Sequence, residues 1–211
     1  MNLHRTGKLI SMLTLPLRRF VESDRGVAAV EFALVLPIVL LILLACFEVP
    51  RFVLIYQRLA RTSAGVADLV AQADEPITGN QMQDIFTAAK TMMQPYDVDT
   101  NGKIFVSSIN NPSNTGVKVT WQKNIGKAKD PKTGTDAKSR VGVPTQAPTI
   151  PAALMPGSNE EVLAAEVLFN YQPVFSNLIY SGSQLYTVSY SRPRNKNLMS
   201  EPGTADSEVL P

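Results

Sequence analysis

The chain has 211 residues, with 20 Lys and Arg against 18 Asp and Glu, one His and one Cys. That length holds one domain of ordinary size plus accessory segments, and the net charge of +2 sits at one end, which leaves no clustered basic face for nucleic acid. His4 lies near the start and Cys46 within an apolar run, so Cys/His metal sites, Ser-His-Asp triads and Cys-His dyads are excluded elsewhere, since each needs imidazole or thiolate there. No catalytic, cofactor-binding or metal-binding residues are expected, and a lone cysteine forms no disulfide within the chain.

Residues 1–26 read as a basic leader. Up to residue 25 it holds Arg5, Lys8, Arg18, Arg19 and Arg25 against Glu22 and Asp24, a net +3, and what remains is 15 basic and 16 acidic side chains, or −1. From Val27 to Phe47 only Glu31 carries a charge. A helix over those positions is roughly 31 Å long at about 1.5 Å per residue, close to the ~30 Å hydrocarbon thickness of a bilayer. A transmembrane helix over 27–49 is the reading. The run exceeds the 7 to 15 apolar residues of a secretory signal, and Ala45-Cys46-Phe47 offers no small-x-small cut. Lys and Arg beside a span stay on the cytoplasmic side, so the leader faces the cytoplasm and the rest is exported; Arg51, Arg58 and Arg61 pull the other way, but the first flank usually dominates.

The leader ends Gly26-Val27-Ala-Ala-Val-Glu31-Phe32. This resembles the processing site of class III prepilins and type IV pilin-like proteins, in which a prepilin peptidase cuts after the Gly and leaves Glu as the fifth mature residue. The longer run through Pro37 to Glu48-Val-Pro-Arg51 is similar to the N-terminal signature of TadE/TadG-like pseudopilins of tight-adherence (Flp) pilus machines; Val49-Pro50 replaces the Phe-Gly pair usual in that family. The resemblance implies a processing site at Gly26 and Val27, a subunit-assembly role for Glu31 and Phe32, and a juxtamembrane pair in Glu48 and Arg51.

Beyond Pro50, Phe52, Ile55, Leu59, Val66, Leu69 and Ala73 recur at three- and four-residue steps, an amphipathic helix over 50–75. Pro50 lacks a backbone donor, and a kink is expected there. Thr78-Gly-Asn-Gln81 has capping-box spacing, followed by Met82, Ile85, Phe86, Ala89, Met92 and Met93 at helical steps until Pro95. Residues 103–109 and 117–121 are rich in β-branched and aromatic side chains around turn chemistry at 110–116, and 161–171 and 184–191 read as two further strands. Between the pairs, 123–156 has few apolar residues and many Lys, Gly, Thr and Pro, which predicts a mobile surface loop. The short connector 173–180 reads as a helical turn or two. The Val-x-Tyr strand, the Pro-Val-Phe connector and the last strand ending at Arg192-Pro-Arg194 also resemble the C-terminal half of TadE/TadG-like proteins, and 195–211 reads as a flexible tail.

The fold class expected is α+β: a single N-terminal transmembrane helix with an amphipathic extension, then an exported domain over 76–194 with a roughly four-stranded antiparallel sheet. The resemblance implies a minor pilin or pseudopilin, a structural subunit in assembly of a Tad pilus. Its implied partners are the inner membrane, prepilin peptidase, other pilins and Tad assembly components, with the C-terminal domain periplasmic. The alternative is a signal-anchored envelope protein that binds a ligand and never enters a filament. Catalysis by Asp68, Glu160, Glu161 or Glu166 is not expected, because they show no paired spacing for acid/base work and read as solvated surface charge.

The charge asymmetry sets the first expected outcome. Protease added outside spheroplasts should degrade the chain beyond about Arg51 and spare the leader side; a protected C-terminal domain would reverse the topology.

Overall fold

The computed structural model describes residues 24–73, 77–112, 116–174, 183–194 and 201–202. The expected leader lies outside them up to residue 23, as do the connector from 175 and the tail except 201–202. Two compact units divide the chain, Met1–Pro50 and Arg51–Pro211. Helix α1, Asp24–Ala71, takes in both segments expected to be helical, and neither Pro37 nor Pro50 ends it.

In the first unit the helix exposes nearly everything it carries. Val27, Val30, Phe32, Leu34, Ile38, Leu41 and Phe47 are all more than half exposed, although a protein surface in water rarely shows so much contiguous apolar area. Among the described residues, α1 is the one helix long and apolar enough to cross a membrane.

The second unit is built on a four-stranded antiparallel sheet of β1 (Gly102–Asn110), β2 (Lys118–Ile125), β3 (Glu161–Tyr171) and β4 (Ser183–Ser191), in the order β2-β1-β3-β4. The α+β class with one membrane-length helix and four strands is as the sequence predicts. On one face the core joins Ile104, Val106, Trp121, Leu163, Val167 and Phe169 to helical side chains. From α1 these are Ile55, Leu59, Val66 and Val70, with Thr62 and Ser63 completing the buried stripe; Phe52 and Leu69, expected on it, are partly exposed. From α2, Gly79–Met93, they are Met82, Phe86, Ala89 and Met93, while Met92 turns outward. The capping box forms as its spacing predicts: Gln81 N donates to Thr78 Oγ1 at 3.3 Å, and Thr78 N to Gln81 Oε1 at 2.9 Å. Asp97 caps a short third helix, α3, Val98–Asn101, which the sequence reading missed.

Every residue of β1 and all but Asn170 of β3 are buried, a pattern that requires cover on both faces. The second cover is the segment expected to be a mobile loop. Apart from β2 as far as Ile125, an isolated bridge between Lys129 and Asp136 and one 3-10 turn at Ala152–Leu154, it lacks regular structure. It nevertheless packs down on the sheet, burying Ala128 and Ala137 against Phe105 and Leu168, and Val141 against Ile109, Val119 and Ala164. A register shift between Ser108 and Ile109 lets Trp121 face the helices and Val119 face this cover. Thr145 N then donates to Val119 O at 2.8 Å, and Val119 N to Gln146 O at 3.0 Å.

Glu166 sits beneath the cover, fully buried on β3, so the expectation that it and Glu161 are solvated is corrected: the cover hides Glu166, and Glu161 is 6% exposed and hydrogen-bonded by the Ser108 hydroxyl. The Glu166 carboxylate accepts from Arg140 N at 2.7 Å, Val141 N at 3.2 Å, the Tyr186 hydroxyl at 3.0 Å and the Ser139 hydroxyl. Three of these donors belong to the cover and one to β4. Arg140 also stacks its guanidinium 4.3 Å from the centre of the Tyr186 ring. Burial, and then the Glu166 charge, push the Tyr186 and Tyr190 phenols above their ordinary range, and the Tyr186 hydroxyl stays a neutral donor to Glu166 at physiological pH. Glu166→Ala strands these donors and should cost about 3 kcal/mol. A urea titration of the whole chain in detergent reads the loss, and limited proteolysis should newly cut between Gly126 and Ile150; an unchanged midpoint would show that the cover stays down without the carboxylate.

Candidate functional site

The residues singled out by sequence divide between two places. Gly26, Val27, Glu31 and Phe32 lie on the first turns of α1, with Val27 57% exposed, Phe32 66% exposed and Glu31 exposed as well. Residues four apart on a helix stack on one face, so the backbone of Val27 and the Glu31 carboxylate share a side. Glu31 makes no hydrogen bond or ion pair with any described residue.

Glu48 and Arg51 are both partly buried. Arg51 lines a cleft of about 270 Å³ in the second unit, together with Ile55 of α1, Pro95 to Asp97 after α2, Asn101 of α3 and the end of β3 from Phe169 to Gln172. Packing fixes the aromatic walls: the Tyr96 and Phe169 rings meet edge to face at 5.8 Å, and Phe52 meets Tyr171 likewise at 5.6 Å. Arg58 ties α1 to the turn above the cleft by donating to Gln94 O. The Thr100 hydroxyl and the backbone amides of Asp99 and Thr100, with Lys90 nearby, hold the Asp97 carboxyl below the usual range. Asp97 is therefore an anion at neutral pH. Arg51 Nη1 is buried with no hydrogen-bond partner among the described residues.

Sequence reasoning placed Arg51 at the end of the apolar run but missed the residues that surround it. Tyr96, Asp97 and Asn101 come from a stretch with no periodicity, and Phe169 and Tyr171 read only as strand. The one signal was Asp97-Val-Asp-Thr, an aspartate set to cap a helix that nothing else announced.

Of the other acidic side chains singled out by sequence, Glu160 and Asp68 have structural partners. Glu160 accepts from Gly157 N at 3.0 Å and pairs with Arg192 at 2.9 Å, and these two contacts hold its carboxyl below the usual range. Asp68 faces Arg194 at 3.6 Å, and Arg194 N donates to Ala71 O at 3.0 Å.

No curated protein and no solved structure matches the chain. A family model does match, that of TadE-like proteins, over residues 26–68, a stretch that contains Gly26, Val27, Glu31, Phe32, Glu48 and Arg51. Over that segment, which is less than half of the chain, the sequence is similar to TadE-like proteins.

Proposed function

We propose that this protein is a minor pilin-like subunit, a structural component with no catalysis of its own, that enters or primes a Tad pilus. A prepilin peptidase cuts between Gly26 and Val27, the helix stays in the bacterial inner membrane, and the sheet domain stands in the periplasm. One observation carries the reading: at the start of the segment similar to TadE-like proteins, the helix from Val27 to Phe47 is apolar on all sides and holds a single carboxylate, Glu31, that no described residue satisfies.

A carboxylate well inside a bilayer costs on the order of 2.5 to 3.5 kcal/mol on insertion scales, so its retention calls for a partner. Cleavage after Gly26 creates a charged amine on Val27. That amine lies one turn from Glu31 and pairs with the Glu31 of a neighbouring subunit, which aligns adjacent helices as they bundle. The pair forms only between subunits, so an isolated chain inserts without it.

Three outcomes follow. The membrane-extracted protein should begin at Val27, which a signal-anchored binding protein would not do. Gly26→Val should leave an uncut precursor, about 25 residues heavier, since the peptidase subsite accepts a residue without a side chain. Glu31→Ala should insert and be cleaved like the wild type, yet fail to co-purify with other pilins or support piliation; wild-type piliation in that variant would sink the assembly role of Glu31.

A further inference from the structure

The proposed assembly role of Glu31 does not use the cleft around Arg51, whose chemistry selects a ligand. A buried guanidinium nitrogen such as Arg51 Nη1, with no acceptor among the described residues, is costly unless something else supplies the oxygen. Arg presents a planar fork suited to phosphate or carboxylate. The same lining offers the ionised Asp97, whose oxygens accept a cationic donor, and the rings of Tyr96, Phe169 and Tyr171, whose faces and edges favour a small organic group over a bare ion. At about 270 Å³ the cleft fits a headgroup, not a large molecule.

The occupant must therefore carry an anionic oxygen and a nearby ammonium. Arg51 follows Phe47, the end of the apolar run, by four residues in the sequence. If that run spans the bilayer, Arg51 belongs to the layer where phosphodiesters are densest. We propose that the cleft binds the phosphoethanolamine headgroup of a membrane lipid, with the phosphate on Arg51 and the ammonium on Asp97. This rests on reading residues 27–47 as a span, and it adds a second function to that anchor: one bound lipid fixes the sheet domain at the membrane surface.

The test uses the whole chain in neutral detergent and calorimetric titration with dihexanoyl phosphatidylethanolamine, phosphatidylglycerol and phosphatidylcholine, and with inorganic phosphate. The ethanolamine lipid should bind tightest. Arg51→Gln should weaken it and the glycerol lipid by about tenfold or more, while Asp97→Asn should weaken only the ethanolamine lipid. Arg51→Lys, which keeps the charge and loses the fork, should fall between, and a wild-type unfolding midpoint in each variant shows that the fold persists. Unchanged affinity in Arg51→Gln, equal binding of the choline lipid, or phosphate binding as tightly as the lipid would each overturn the proposal. Short-chain lipids reach the cleft without a bilayer, so extraction of the protein from membranes by alkaline carbonate would overturn the span alone.

Discussion

A sheet with two apolar faces must be covered twice, and this constraint shapes the whole second unit. Helices cover one face in the ordinary way, with Ile55, Leu59, Val66 and Val70 of α1 beside Met82, Phe86 and Met93 of α2. The other face receives an irregular segment with few large apolar side chains to offer. Such a cover buries backbone as well, and each buried amide needs an acceptor. Glu166 answers that need at the centre of the sheet by accepting from two consecutive cover amides and two hydroxyls. At the edges the solution is different: Asn170 donates to Lys129 O at 2.8 Å and Gln122 donates to Gly142 O at 2.9 Å, so strand side chains take the cover's carbonyls.

The same constraint explains which parts of the fold the sequence made legible. Strands and helices announce themselves through period, and β3 appeared at its full extent, 161–171, because Val, Leu and Phe crowd it. Glu166 interrupts that run and looked like a surface charge. The cover stayed hidden because its stability comes from small side chains and amide hydrogen bonds. Ala128, Ala137 and Val141 bury little area each, and composition alone cannot distinguish a loop that packs from one that does not. Gly126 shows the tightness of the junction: it holds a φ of +97°, and a side chain there would run into the carbonyl of Gly102. The cleft was hidden for a related reason, since its residues come from α1, the turn after α2, α3 and β3, and no local pattern joins them.

Helix α1 meets two different solvation problems along one sequence. Up to Pro50 its apolar residues point in every direction, a distribution suited to lipid or to a bundle of similar helices. Beyond Pro50 the buried apolar residues Ile55, Leu59, Val66 and Val70 form one stripe against the protein's own core, while Val53, Leu54, Tyr56 and Leu69 stay exposed beside Arg58, Arg61 and Asp68. The TadE-like match covers both stretches, from residue 26 to 68. The motif therefore encodes more than a membrane signal, since it includes Ile55, Leu59 and Val66, which hold the sheet domain's core.

Glu31 and Glu166 set the same side chain in apolar surroundings with opposite outcomes. Glu166 has its acceptors filled from within the chain by Arg140, Val141, Ser139 and Tyr186, so its burial stabilises one arrangement of one molecule. Glu31 has no such group in reach among the described residues, and the neighbouring positions are Val, Ala, Phe and Leu. A carboxylate filled from within is a fold determinant. One left open on a helix that has no water beside it can be satisfied only by relocating to the interface or by a cation from another chain. Two features of the sequence weigh toward the cation on the proposed reading: the glycine at 26 allows a cut that creates an amine one turn away, and the helix beyond Glu31 is apolar on every side, as a helix that packs among its own kind requires.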